Sequence, residues 1–175
     1  MITPTFTSLV FDSMPAPDFT DLLAIPLPSG TSTDPRVWAE AIFGTAGIPV
    51  WVGAALAIRQ FLVPLIGIPR AATSVFDVTR VEGEEALIVA PDKHLTFHCA
   101  VGVDAQQRLL RVTTAVTLNG WRGKLYFAPV RLAHPVVVRS MMLKASRSSE
   151  VRVSQQTKTL SVSPPDQSRA DQTMR

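Results

Sequence analysis

Four side chains have the residue types that proton-transfer chemistry requires: Arg59, Asp92, His94 and Tyr126. Asp92 and His94 are two residues apart, so in an extended segment both project from the same face. A carboxylate beside an imidazole can orient the ring as a general base, although two hydrogen-bonded groups at a strand entry explain the same pair. Tyr126 could donate a hydrogen bond to a substrate carbonyl. With Arg59 or His94 nearest to it, it could promote cyclisation, dehydration or isomerisation.

The sequence predicts no metal site and no cofactor. His94 and His98 lie four residues apart on one expected strand, about 13 Å, which is too far for two ligands of one ion. Cys99 is the single cysteine, which excludes an internal disulfide and a cysteine metal cage, and we expect it in the core. Neither a phosphate-binding loop nor a dinucleotide-binding fingerprint occurs.

The charge distribution does not favour a nucleic-acid partner. The net charge is +3, and residues 1–69 contain two basic side chains against five acidic ones, whereas residues 70–175 contain the other 15 against nine. No block of five or six basic residues occurs, and no aromatic and basic residues alternate in an RNA-binding pattern. We therefore expect no nucleic acid among the partners.

Alternation of apolar residues between Pro91 and Val130 predicts an antiparallel meander. Leu95 to Val103 and Leu110 to Leu118 each repeat with period two, and a short polar connection joins them. Asn119-Gly120 ends the second run, and Lys124 to Val130, which includes Tyr126, is expected to be a third strand. The parity places one set of side chains inward, namely Phe97, Val112, Thr114 and Val116, and another set outward, namely Arg111, Thr113 and Thr117.

Further elements flank this meander. Asp21–Leu27 predicts a first strand with Pro26 at an edge or at the strand's end, and Asp34-Pro35 predicts the start of a short amphipathic helix. A hairpin is expected from 74–80 into 85–91. Basic residues near the end of 131–147 favour a final helix there, with Pro135 in its first turn.

An apolar run from Ile48 to Ile68 has nearly the length of a membrane span. Arg59 near its middle costs about 2.5–3.5 kcal/mol on insertion scales, and proline and glycine interrupt the run. We favour a buried helix at roughly 49–63 and no stable membrane insertion, with membrane association as the alternative. Arg59 is then expected to be partly buried and paired with Asp92 or Asp77.

The domain organisation predicted from composition has three parts. Residues 1–20 form a loosely ordered arm, residues 21–147 form the folded domain, and residues 148–175 form a disordered tail poor in large apolar side chains. The start of the chain lacks the charge and the apolar run of a secretory signal, so the expected location is cytoplasmic.

Residues 20 to 147 resemble the DUF2867 family, a domain of unknown function. The segments that carry the resemblance are 38–43 (WAEAIF), 49–51 (PVW), 56–59 (LAIR) with 62–63 and Gly67, 92–97 (DKHLTF), 113–116 (TTAV), 123–126 (GKLY) and His134. The order of elements is also similar to the helix-grip architecture of the Bet v 1/START/polyketide-cyclase superfamily (SRPBCC). That resemblance implies an α+β fold in which a curved antiparallel sheet wraps a long C-terminal helix, with two short helices after the first strand.

The helix-grip resemblance implies an apolar cavity between the sheet and the last helix. The residues expected to line it are Trp38, Trp51, Phe97, Val112, Thr114, Tyr126, Val138 and Met142. Ordinary core packing explains Trp38, Trp51 and Phe97 equally well. The expected function is binding of a hydrophobic small molecule, as a cofactor-free cyclase- or isomerase-like enzyme of natural-product metabolism. A non-catalytic carrier or sensor and an accessory docking domain for an oxidoreductase remain as alternatives, and a homodimer is compatible with each.

Overall fold

The computed structural model describes residues 7–44, 48–49, 52, 76–91, 95–148 and 151–152. This part of the chain forms an α+β domain in which helices cover an open, five-stranded antiparallel sheet. In chain order the elements are helix α1 (Leu9–Ser13), strand β1 (Phe19–Pro26), helix α2 (Pro35–Phe43), strands β2 (Val78–Glu82), β3 (Glu85–Pro91), β4 (Leu95–Asp104) and β5 (Leu109–Leu118), and helix α3 (Gly120–Ala145).

The strand order is β1-β5-β4-β3-β2, and every neighbouring pair is antiparallel. Strands β2 to β5 pair consecutively, while β1 pairs with β5 and forms an edge of the sheet. The expected hairpin into β3, the polar connection between β4 and β5, and the edge position of Pro26 are confirmed. Val101 lies opposite Val112 and Cys99 opposite Thr114, so the predicted inward parity is also confirmed.

The expected third strand at 124–130 is wrong, because these residues belong to α3. Helix α3 starts at Gly120, whose φ of 73° lets the chain turn sharply out of β5. Apolar residues that suggested a strand repeat equally well at helical spacing, and tertiary packing decides between the two patterns. Pro129 and Pro135 both lie inside the helix, so the expected start of the last helix near Pro135 is also wrong.

Helices α2 and α3 pack on the inward face of the sheet. The N-cap Asp34 of α2 accepts a hydrogen bond from the backbone N–H of Arg36, as the Asp-Pro signal predicts. Trp38 of α2 is fully buried, and its indole N–H donates to the carbonyl oxygen of Ser32 at 2.8 Å. Val138 and Met142 of α3 join α2 in a single hydrophobic cluster with the inward side chains of the central strands.

The opposite face of the sheet is also covered, although its side chains were expected to point outward. Thr113, expected to point outward, is buried on this face. Helix α1 packs here, and Leu9 and Val10 form a second apolar cluster with side chains of β3, β4 and β5. Residues 7–20 of the expected arm therefore contain a helix packed on the sheet and the start of β1. Within the expected tail, Val151 is buried in the main core.

The short α1 is held to the sheet by a buried carboxylate. Glu85 of β3 accepts hydrogen bonds from the Ser8 hydroxyl and from the backbone N–H of Leu9, each at 2.8 Å. A helix of five residues is too short to be stable by itself, so these bonds and the apolar contacts of Leu9 and Val10 hold it in place.

Replacing Val112 by Asp should destabilise the fold by more than about 3 kcal/mol, because it buries an unpaired charge in the main core. Val112 is 1% exposed, whereas Val81 on the edge strand β2 is 39% exposed. Val81→Asp is the matched control and should change the free energy of unfolding by less than about 1 kcal/mol. Urea denaturation of both variants measures the difference, and equal losses would contradict the inward assignment of Val112.

Replacing Glu85 by Ala should cost about 1–3 kcal/mol, because the Ser8 hydroxyl and the Leu9 N–H would lose their shared acceptor. Glu85→Gln keeps one carbonyl oxygen at this position and should recover most of that loss. Hydrogen exchange at the Leu9 amide locates the effect: we expect faster exchange in the alanine variant and near-normal exchange in the glutamine variant. Unchanged exchange in both variants would show that the apolar contacts alone hold α1.

Candidate functional site

The inward face of edge strand β1 presents a polar residue toward α3. Phe19, Asp21 and Leu23 share this face, and strand geometry spaces them about 6.6 Å apart. Asp21 Oδ2 lies 3.1 Å from Nδ1 of His134, which projects from the middle of α3. Both side chains are largely buried, with 21% and 13% of their surface exposed. The junction of the edge strand and α3 therefore contains an Asp–His pair.

The pair has the arrangement that orients an imidazole for proton transfer. An Nδ1–H that donates to the Asp21 carboxylate leaves the lone pair of the neutral ring on Nε2, where it can accept a proton. A carboxylate also stabilises the imidazolium that forms after proton uptake. His134 can thus act as a general base or acid toward a group placed at Nε2.

Aromatic contacts hold α3 at this position over β1. The Phe19 ring meets that of Phe127 edge-on at 5.0 Å between centroids, and it meets the His134 ring in the same manner at 6.2 Å. Such edge-to-face pairs contribute about 0.5–1.5 kcal/mol beyond the area that they bury. They fix the distance between helix and strand that the Asp21–His134 contact needs.

Thr114 and Cys99 lie beside Asp21 in one row across the inward face of the sheet. Asp21 is directly opposite Thr114 of β5, and Thr114 is opposite Cys99 of β4. Burial, helped by the Glu85 charge, raises the pKa of the Cys99 thiol to about 12 despite the lowering effect of a Thr114 hydrogen bond. Cys99 is therefore protonated and unreactive, which confirms the prediction of a small core residue.

A groove of about 310 Å³ lies beside the Asp–His pair. Leu23 of β1 lines one side, and Pro135, Val136, Arg139 and Ser140 of α3 line the other. The Ser140 hydroxyl donates to the Val136 carbonyl at 2.7 Å, and Arg139 is exposed. The groove thus combines an apolar floor with a cation at its rim.

Of the four catalytic candidates from the sequence, the structure describes only Tyr126. Tyr126 lies on α3, half-buried, about 12 Å along the helix from His134, so it is not in the predicted strand. The other three, Arg59, Asp92 and His94, lie outside the described residues. Their roles, and the expected partner of Arg59, stay predictions.

Most of the predicted ligand-lining residues lie in the packed core. Phe97 packs against this core and meets Phe76 edge-on at 6.3 Å. Trp51 lies outside the described residues, and so does most of the helix expected at 49–63, although Val52 is buried in the core. The predicted residues that are fully or almost fully buried are Trp38, Val112, Thr114, Val138 and Met142. Their contact with a ligand stays a prediction.

Sequence reasoning singled out His134 only as part of a resemblance, and it missed its partner Asp21. One signal was available, since Asp21 interrupts an otherwise apolar inward face formed by Phe19, Leu23 and Ile25. A carboxylate at such a position requires a partner when it is buried. The identity of that partner depends on how α3 packs, and the sequence pattern around Asp21 does not specify this.

A different pair occupies the opposite face of the sheet. His98 Nδ1 lies 2.8 Å from the Ser13 hydroxyl at the end of α1. That hydroxyl is also 3.0 Å from the carbonyl oxygen of Leu9 and 3.1 Å from that of Val10, so backbone carbonyls compete for its proton. Burial lowers the pKa of His98. We interpret the pair as a contact that fixes the end of α1 and not as an activated nucleophile.

Nowhere in the described residues do three or more His, Cys, Asp or Glu side chains converge as metal ligands would. Within the same part of the chain, no helix combines the length and the apolar character needed to cross a bilayer.

The fold and this junction define an α+β domain with a five-stranded antiparallel sheet and a C-terminal helix over its edge strand. The family model described as "Protein of unknown function (DUF2867)" matches residues 13–141, and the chain belongs to this family. The match includes both Asp21 and His134. No curated protein and no solved structure matches the chain.

The lowered pKa of His98 predicts a pH-dependent stability. The unfolded chain takes up this proton near pH 6.5 and the folded state only at lower pH, so stability should fall as pH drops through 6.5. The loss should level off below the lowered pKa. Urea midpoints from neutral to mildly acidic pH should show a smaller slope for His98→Gln than for the native chain. Equal slopes for the native chain and His98→Gln would contradict this assignment.

Proposed function

We propose that this chain binds a hydrophobic small molecule at the junction of β1 and α3, with the apolar part of the ligand in the groove. The observation that carries the proposal is the position of this groove beside the Asp21–His134 pair: Leu23 follows Asp21 on the same strand face, and Pro135 follows His134 on α3. A ligand in the groove would therefore have its end near an oriented imidazole.

The size and lining of the groove limit the ligand class. Its volume of about 310 Å³ is at the lower end of the range for ligand sites, about 300–1,000 Å³. Leu23, Pro135 and Val136 favour an apolar body of one or two rings. Arg139 at the rim favours a carboxylate or another anionic group on that body.

Proton-transfer catalysis on such a ligand is the second candidate function, and the Asp21–His134 contact favours it. An imidazole with Nδ1 on a carboxylate can take a proton from carbon or oxygen and return it elsewhere, which is the requirement of a cofactor-free isomerase or cyclase. The resemblance to helix-grip domains supports this view, since in that architecture ligands lie between a sheet and the last helix. A carrier with the same groove would bind without turnover.

The ligand proposal is tested with 2-naphthoate, a two-ring carboxylate, and with neutral 2-naphthamide as its matched analogue. Saturation-transfer NMR on the full chain should detect both compounds, with tighter binding of the anion by roughly two- to fivefold because Arg139 is exposed to water. Arg139→Gln should remove that preference. Arg131→Gln, an exposed cation of the same helix outside the groove, should preserve it.

A groove-filling variant separates this site from adventitious binding. Ser140→Phe places a ring in the groove and should abolish the binding of both compounds while the circular dichroism spectrum stays unchanged. Binding that survives Ser140→Phe would contradict the proposed site. For any substrate found, His134→Gln should lower kcat more than it raises KM if the chain is an enzyme, and a carrier would show no turnover at all.

A further inference from the structure

Helix α3 carries a second apolar face, which points away from the sheet. Four large apolar side chains are strongly exposed on it: Trp121 (68%), Leu125 (55%), Leu132 (75%) and Val136 (60%). Their spacings of four, seven and four residues put them on one side of the helix, because each residue turns about 100°. This outer stripe is about 22 Å long. It differs from the buried face that includes Phe127 and Val138.

All the charged side chains of α3 are basic. The helix contains Arg122, Lys124, Arg131, Arg139 and Lys144, and it contains no Asp or Glu. By helical geometry Lys124 and Arg131 flank the outer stripe on one side and Arg122 on the other. The Arg122 guanidinium lies 5.6 Å from the centre of the Trp121 ring, and Lys144 donates to the carbonyl oxygen of Ile48 at 2.7 Å.

We propose that the outer stripe of α3 binds the surface of an anionic lipid bilayer. An exposed apolar stripe flanked by Lys and Arg is the arrangement by which helices lie in the plane of a membrane interface. Trp121 suits the headgroup level, where amphipathic rings are enriched, and the flanking cations attract anionic headgroups. The helix lies on the membrane and does not cross it.

The positive charge of α3 argues against a second copy of the chain as the partner that covers the outer stripe. A two-fold contact through the stripe would bring Lys124 and Arg131 of each copy close to the same cations of the other, and like charges at a contact oppose association. The high exposure of Trp121 and Leu132 also shows a protruding ridge instead of a groove that could enclose a peptide. A bilayer accepts such a ridge without a complementary pocket.

The outer stripe shares Val136 with the proposed ligand groove, but the membrane proposal is tested at other residues. Its variants change Leu125, Leu132, Lys124 and Arg131, and none of these lines the groove. A chain that binds bilayers but not naphthoate, or the reverse, would therefore separate the two proposals.

The experiment is co-sedimentation of the full chain with vesicles of phosphatidylcholine, with or without phosphatidylserine. We expect binding to the anionic vesicles that weakens as salt is raised, and little binding to the neutral ones. The double variant Lys124→Gln, Arg131→Gln should bind about 25-fold more weakly, since each basic side chain contributes about a fivefold effect at an anionic surface. The double variant Leu125→Ser, Leu132→Ser should lose at least about tenfold.

Matched controls lie away from α3. Val81→Ser removes an exposed apolar side chain of β2, and Arg36→Gln removes an exposed cation of α2. Both should bind the anionic vesicles as the native chain does. All positions changed are exposed, so circular dichroism should show a retained fold in every variant.

Four results would overturn the proposal. The first is no binding to the anionic vesicles, and the second is binding that the α3 variants leave unchanged. The third is a loss of self-association, measured by sedimentation velocity without lipid, when Leu125 and Leu132 are replaced, because it would identify a second copy as the occupant. Protection of Trp121 from a soluble quencher before lipid is added would likewise show that the stripe is already covered.

Discussion

The fold depends on the burial of its two central strands on both faces. His98–Asp104 of β4 and Val112–Val116 of β5 are buried at every position, inward and outward alike. A strand of this kind needs a helix on each side, because exposing either face would leave an apolar surface in water. Helices α2 and α3 cover one face and α1 covers the other. A register slip by one residue would exchange Val101 with Ala100 and fill neither side correctly.

The candidate site lies where helix α3 packs against edge strand β1. Strand β1 has an exposed outer face, so only its inward side chains contact α3. Phe19 supplies the aromatic contacts, Asp21 pairs with His134, and Leu23 borders the groove. A carboxylate under a helix is stable there only because it has a partner. The same pairing that makes Asp21 tolerable also fixes the orientation of the His134 ring.

Helix α3 has two apolar faces, of which one packs in the core and the other is exposed. The inner face, with Phe127 and Met142, belongs to the fold, and removing it would expose the core. The outer stripe from Trp121 to Val136 contributes nothing to the core, yet it is apolar and flanked by cations. A soluble helix normally has charged residues on its outer face. The departure from that pattern in α3 requires an explanation outside the folding of the domain.

The sequence by itself determined the five strands of the sheet, which side chains of β4 and β5 point inward, and the start of α2, although it also predicted a strand at 124–130 that is part of α3. Period-two alternation in β4 and β5 and the Asp34-Pro35 cap are local signals, and local geometry is sufficient to interpret them. The family could also be inferred from the sequence, because the motifs that carry the resemblance lie within the residues that match the family model. Tyr126 shows the limit of local signals, because its apolar neighbours fit a strand and a helix equally well.

Only the tertiary structure decided the state of α3, the cover on the second face and the pairing of Asp21 with His134. Each depends on contacts between residues far apart in the chain: Glu85 with Ser8, and His134 with Asp21, more than a hundred positions away. A local pattern gives the face on which a side chain lies but not the element that covers that face. The packing of the whole chain decides which element covers each face, and it thereby forms the candidate site.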